Sequence, residues 1–308
     1  MGGCILAAAF APNLFVLMVL LVGTGLGGAM IPPNSIAAIT DVVAPDKRGK
    51  AIGAAQGIST ASAVVGVPVV AVLAAVADWR MPFIVCGGLL LATFACSWLW
   101  YPKSAVTDPR SFSYISRFKE LGSMSVFRFG MLANLTGRIA FFAVVGYIAA
   151  FLIDTHEMSV GETAIPLAVV GSGAVVGSLW AGMMASHRKR LNFVAGVSLV
   201  GGMAGLAAFT MEPVIWLTVA IAFAAVCLLS VGWPVFITFA TDVSPQSRAT
   251  AIGMMGASNR LGGVVGSALG GAFLALGGYS AVGIFCFATV LASALIIRLF
   301  VREPLIDG

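Results

Sequence analysis

Two arginines stand where the chain is otherwise apolar. Arg138 falls near the middle of the apolar run 127–153, beside Asn134 and Thr136 and ahead of Tyr147; Arg260 follows Asn259 about one-third into the run 250–277. A guanidinium at bilayer depth is costly, so such a residue is by default a functional-site hypothesis that faces a cavity. Asn134 and Arg138 are four positions apart, and a helix would put them on one face. The candidate substrate contacts are therefore Asn134, Arg138, Tyr147, Trp233, Asn259 and Arg260. Competing readings stand beside them. Arg138 could serve as an internal hydrogen-bond donor, or could snorkel from a misplaced helix end. Snorkelling and function weigh equally for Arg260, as do bilayer packing and cavity lining for Trp233.

The elements that must position these residues follow from composition. Of 308 residues, 60% are hydrophobic and only 9% charged, with a mean hydropathy of +1.04. A soluble domain carries about 25% charged residues, so water-soluble enzymes, secreted domains and nucleic-acid-binding modules are excluded. A spanning helix needs ~20 apolar residues, and such runs occur at 14–39, 51–77, 82–100, 127–153, 163–185, 192–210, 213–239, 250–277 and 280–300. Gly2 to Ala11 is a shorter apolar stretch that Pro12 and Asn13 end. It reads as the second half of a span, or else as a re-entrant segment. Cys4, Cys86, Cys96, Cys227 and Cys286 all lie in apolar runs without metal-ligand spacing; they read as small hydrophobes, and no metal or cofactor is expected.

Charge gives the orientation. Lys47, Arg48, Lys50, Lys103, Arg110, Arg117, Lys119, Arg128, Arg188, Lys189, Arg190, Arg248, Arg298 and Arg302 fall on one side, and Arg80 on the other. Lysine and arginine concentrate in cytoplasmic loops, so the basic loops and the C-terminus are expected in the cytoplasm. This placement, rather than a nucleic-acid partner, accounts for the net charge of +5. The expected partners are the lipid bilayer and a small solute, and a monomer is expected.

One segment recurs at a constant offset. Pro45, Arg48, Ala51, Ile52 and Gly53 return as Pro245, Arg248, Ala251, Ile252 and Gly253, and Val64-Val65-Gly66 returns as Val264-Val265-Gly266. Counting spans, the second copy comes six helices after the first. Parallel six-helix repeats are a transporter architecture. The last six spans form a complete unit, so the first unit is expected to lack about two and a half helices before Met1.

The run Gly25-Leu26-Gly27-Gly28-Ala29, with Pro33, Asp41, Pro45, Arg48-Gly49, Ala51 and Gly53, resembles the fourth helix and the following loop of the major facilitator superfamily. Gly57, Gly66, Pro68 and Asp78-Trp79-Arg80 resemble the fifth helix of its drug:proton-antiporter and arabinose-efflux-like branch, and Asn259 to Gly271 its eleventh. The likeness spans the chain as helices three to twelve. It implies an all-α polytopic bundle in two halves: 1–100 an incomplete N-terminal half, 101–125 a cytoplasmic central loop, 126–308 a complete C-terminal half. It also implies a secondary transporter of the cell (inner) membrane that moves a drug-like solute, sugar or metabolite by rocker-switch alternating access, with efflux by antiport as the branch function. Departures are plain. Leu21 and Thr24 occupy places where antiporters often carry arginine and glutamine, and the acidic residue of the second-half motif is missing between Gly177 and Arg190.

No Asp or Glu occupies the middle of any run, and His156 and His187 are in connections. A proton relay needs an embedded acid or histidine. Either Asp154 at the end of its run is the coupling acid, or that acid lies in the missing helices, or protons do not drive transport. An inactive fragment and a membrane enzyme are the alternatives, the enzyme disfavoured by the lack of an embedded constellation. Two embedded arginines without acids favour an anionic or polar solute. Asp41 with Arg48, and Asp242 with Arg248, could form gating ion pairs, or could be turn residues that follow the charge rule. Gly53, Gly57, Gly66, Pro68, Gly262, Gly266 and Gly270 read as positions of close helix packing and kinking.

Overall fold

The computed structural model describes the chain except residues 33–34, 36–58, 60–61, 63–65, 67–68, 71, 75, 101–113, 160, 185–188, 212–213, 245–246 and 302–308, and the side chains of 100, 114–115, 182–184 and 248–249. Asp41, Arg48, Gly53, Gly57 and Pro68, and the side chain of Arg248, thus lie outside the described residues. So does most of the expected span 51–77. Among the described residues every regular element is a helix. The chain divides into two compact units, Met1–Phe112 and Ser113–Gly308.

In the first unit, α1 (Gly2–Ala8), α2 (Leu14–Ala29) and α3 (Met81–Trp100) are described. Pro12 cannot continue α1, and Asn13 caps α2 by accepting the Val16 N–H at 2.9 Å. Burial of Ala8 and Ala9 and the absence of a side chain at Gly87 bring α1 against α3; a Cβ there would stand 2.8 Å from the Leu6 nitrogen. Outside the close packing, α2 buries no residue. Its apolar surface suits lipid rather than water. Gly66 has open space where a Cβ would go.

The second unit opens with α4 (Tyr114–Ser123), inside the stretch expected to be a loop. Leu121 is buried while Phe118, Lys119 and Glu120 are exposed. This two-faced, ten-residue helix is too short and too polar to span; searching only for long apolar runs passes over it. Then come α5 (Ser125–His156), α6 (Ala164–Met184), α7 (Arg190–Thr210), α8 (Ile215–Ser230), α9 (Gly232–Val243) and α10 (Arg248–Phe300).

Breaks within the apolar stretches turn these into six antiparallel crossings. The apolar stretch 250–300 is 51 residues long, about 75 Å at ~1.5 Å per residue, too much for one crossing of a ~30 Å core. Gly278, with φ 68° and ψ −164°, reverses the chain there, in a backbone region that only glycine adopts freely. The α8–α9 break is different: it interrupts one span, Ile215–Val243. Pro234 has no N–H to give the carbonyl of Ser230, and its ring crowds that carbonyl. The helix stops at Ser230 and restarts at Gly232.

Glycine faces set the packing. On the first arm of α10, Gly262 and Gly266 meet α5: a Cβ on Gly262 would lie 2.6 Å from Arg138 Cβ, and one on Gly266 2.5 Å from the Ile139 carbonyl oxygen. Gly270 sits against the ring of Tyr147. Gly173 places α6 against the Phe223 carbonyl of α8. Two apolar cores result, one around Val144, Phe151 and Phe209, the other around Phe127, Phe239 and Met255.

Candidate functional site

Arg138, Asn134 and Ser258 are buried along a seam between α5, the α8–α9 break and the first arm of α10. Arg138 is 6% exposed. Its Nη2 donates to the Leu229 carbonyl at 2.5 Å, and its guanidinium lies 4.6 Å from the centre of the Phe141 ring. One turn earlier, Asn134 Nδ2 donates to Ser258 Oγ at 3.2 Å, and Ser258 Oγ donates to the Met131 carbonyl at 2.9 Å. Asn134 Oδ1 is buried and accepts no hydrogen bond among the described residues. From the second arm of α10, Ser293 Oγ donates to the neighbouring Ala133 carbonyl of α5 at 2.7 Å. Chemically the seam offers a fixed cation and an unused acceptor one helical turn apart.

Other expected contacts fall elsewhere. Tyr147 donates to the Ser267 carbonyl at 2.5 Å and packs on Gly270, so it joins two helices. Trp233 is half-buried against the second core. Asn259 is half-buried and Arg260 exposed. Arg260 is two residues from both Ser258 and Gly262, which puts it on the opposite side of α10 from the α5 contact. The structure therefore brings Asn134 and Arg138 together and leaves Arg260 apart from them.

Charges at the two ends of the unit are also engaged. Arg190, counted in the sequence among the loop cations, is the first residue of α7, 3% exposed, and its Nη2 bonds Asp242 Oδ2 of α9 at 2.6 Å. Asp242 thus has Arg190 as a partner; the Arg248 side chain lies outside the described residues. At the opposite end, Tyr279 Oη donates to Asp154 Oδ2 at 2.5 Å, and Asp154 is exposed. His156 Nε2 is 3.3 Å from Thr218 Oγ1, and its ring meets Phe151 edge-on. In the α5–α6 connection, Glu162 accepts from Ser159 Oγ at 2.7 Å and from its N–H at 2.8 Å. Those bonds, the hydroxyl's first, hold the Glu162 carboxyl below its ordinary range. Among the described residues no cluster of His, Cys, Asp and Glu could hold a metal.

Sequence reasoning missed Ser258, Phe141, Arg190, Tyr279 and the Leu229 carbonyl. Ser258 had a signal, since it precedes Gly262 by four residues on the glycine face. A backbone carbonyl has none of its own.

Apolar crossings closed on one another by glycine faces, with a broken span inside, define a polytopic helical membrane protein. The model of the Major Facilitator Superfamily matches residues 1–227 and 193–307, and the chain belongs to that family. It is 24% identical over 267 residues to the uncharacterized MFS-type transporter YceJ of Bacillus subtilis, covering 85% of this chain and 67% of that protein. Among solved structures, it is similar in fold to a bacterial homolog of the human lysosomal transporter Spinster, inward-facing and unoccupied (TM-score 0.68, 19% identity, 100% of this chain and 82% of that one). It is also similar to the E. coli fucose:proton symporter FucP (TM-score 0.64, 15% identity, 95% and 79%). The protein is a multi-pass membrane transporter and not an enzyme.

Proposed function

We propose that the chain works as a secondary transporter that exports a small anionic or polar organic solute across the cell membrane by rocker-switch alternating access. In this reading residues 126–308 are the C-terminal half, and the C-terminus is cytoplasmic because the basic residues concentrate in the loops on its side of the membrane. The observation that carries the solute class is Arg138, a guanidinium 6% exposed inside a span, with Asn134 Oδ1 one turn away and free to accept. A cation at that depth is costly and is kept for pairing or for a pathway. Its bond partner among the described residues is a neutral carbonyl, which leaves the positive charge to attract an anion. Asp154 is the candidate coupling acid, as a carboxylate at the end of the span that contains Arg138 and Asn134.

The test is efflux from cells that express the chain, loaded in parallel with anionic carboxyfluorescein or cationic ethidium. Faster energy-dependent loss of carboxyfluorescein than in vector controls, and its reduction in Arg138→Ala, is the expected result. Preference for ethidium overturns the solute class. Rates equal to the control for both dyes overturn export of such solutes.

A further inference from the structure

The buried Arg138 and the break in the span 215–243 form one device: we propose that Arg138 is a positioning residue that holds a proline hinge closed, and that its release is a step of the transport cycle. The cycle itself rests on the transporter reading above; the brace does not.

A helix that ends inside a bundle leaves its last four carbonyls without intrahelical donors. For α8, which ends at Ser230, these belong to residues 227–230. Two are covered from outside the helix ladder. Ser230 Oγ donates to the Cys227 carbonyl at 2.8 Å, and Arg138 Nη2 donates to the Leu229 carbonyl at 2.5 Å. Pro234 makes the gap permanent, because the residue four after Ser230 has no N–H to return.

Charge adds to the hydrogen bond. The C-terminal end of a helix carries a partial negative charge that attracts a cation, and the Arg138 guanidinium stands at that end of α8. Glycines give it room. A Cβ on Gly232 would come within 3.8 Å of Arg138 Nη2, and Gly262 lets α10 pass directly beside the arginine stem. The described ion pairs are Arg80–Asp78 and Arg190–Asp242, so Arg138 is bound here to the helix end and not to a carboxylate. When the guanidinium leaves, the Leu229 carbonyl loses its donor, and α9, which carries Trp233, can pivot against α8 at Val231.

The experiment is hydrogen–deuterium exchange on the whole chain in lipid nanodiscs, comparing Arg138→Met, Arg138→Lys, Pro234→Ala and the double variant Arg138→Met/Pro234→Ala. Arg138→Met should speed exchange at 232–236 at least tenfold while 194–208 in α7 stays as in wild type, and Arg138→Lys should restore part of the protection. Pro234→Ala returns an N–H to the ladder, so it should slow exchange in this segment and cancel most of the Arg138→Met effect. Unchanged exchange at 232–236 in Arg138→Met, equal acceleration along every helix, or additive effects in the double variant would each overturn the brace. Should Arg138→Met not fold, Arg138→Lys and Pro234→Ala decide: wild-type exchange at 232–236 in both overturns it. In the dye assay, Pro234→Ala should lower maximal turnover at unchanged half-saturation; unaltered turnover overturns the cyclic release. Exchange needs no solute, so failure of the dye test alone leaves the brace standing and removes only the solute reading.

Discussion

Asn134 and Ser258, 124 positions apart in the chain, are joined by one hydrogen bond from Nδ2 to Oγ, while Asn134 Oδ1 stays buried with no donor among the described residues. Leaving a buried polar atom unpaired costs about 1–3 kcal/mol, and a satisfied hydrogen bond contributes about 1 kcal/mol net. Asn134→Ala removes one of each, so its effect on stability should be near zero or slightly favourable. Ser258→Ala instead strands Nδ2 and should cost about 1–2 kcal/mol. Thermal unfolding in micelles gives the order. If Asn134 accepts a bond from the solute, its alanine variant will export carboxyfluorescein more slowly despite its intact stability. Strong destabilisation by Asn134→Ala would mean that Oδ1 has a structural partner.

The glycine face of α10 makes a stability prediction of opposite kind. A side chain at Gly266 must enter space held by the Ile139 carbonyl oxygen, 2.5 Å from where the Cβ would be. Backbone cannot rotate out of the way as a side chain can. Gly266→Val should therefore cost at least the ~1–3 kcal/mol usual for overpacking, whereas Gly253→Val, at a position with open space, should cost no more than its surface setting implies. Comparable melting temperatures for the two variants would contradict the α5–α10 contact.

These two cases mark how far the sequence could be read. Gly262, Gly266 and Gly270 repeat every four residues, a period that assigns them to one helix face without any knowledge of the neighbour. The six apolar crossings of the second unit were legible from the lengths of the apolar runs, as was the break between the runs 250–277 and 280–300. Partners across the bundle were not. Asp242 bonds Arg190, 52 positions back, because α7 and α9 place their ends side by side. Arg138 was legible as an anomaly, and its partner was illegible because the acceptor is main chain. Only Pro234, four residues after Ser230, hinted that carbonyls nearby would lack donors. The helix α4 was missed since its pattern is amphipathic and short, with Leu121 as its buried anchor.

The Arg190–Asp242 pair is unequally buried, 3% against 35% exposed. Breaking a fully buried pair costs about 3–5 kcal/mol, since one charge is left without compensation. Exposure of Asp242 lets water replace part of that loss, so Asp242→Asn should cost about 1–2 kcal/mol. Arg190→Met removes the same ion pair together with Arg190's further contacts, so it should cost at least as much as Asp242→Asn or Asp242→Ala. Denaturation of the three variants in one detergent checks the ranking. If Asp242→Asn proves neutral, the ion pair does not tie α7 to α9.

Glu162 gives the pH prediction. Its folded carboxyl titrates below the ordinary value because Ser159 donates to it through both hydroxyl and N–H. A depressed acid stabilises the folded turn above its unfolded value, and that stabilisation fades as pH falls toward the folded one. The N-terminal turn of α6 should thus loosen on acidification below about 4.5, the unperturbed value. Exchange rates of amides 163–167, corrected for the intrinsic pH effect, measure this. Glu162→Gln should remove the dependence, and a wild-type profile in that variant would assign it to another group.

Asp154 and Tyr279 provide the test of coupling. If Asp154 takes up the driven proton, it must release the Tyr279 hydroxyl, now 2.5 Å away, since a protonated carboxyl accepts less strongly than a carboxylate. Tyr279→Phe then removes that donor from the carboxylate. Transport driven by an imposed pH gradient should accordingly change its rate in Tyr279→Phe, and should lose its pH dependence in Asp154→Asn. A structural bond predicts a different pair of results: both variants would lower the melting temperature together and leave the pH profile of the surviving activity where it was. Measuring dye efflux across a pH series, with unfolding followed on the same preparations, separates coupling from structure. A pH profile that survives Asp154→Asn unchanged would exclude Asp154 as the coupling acid.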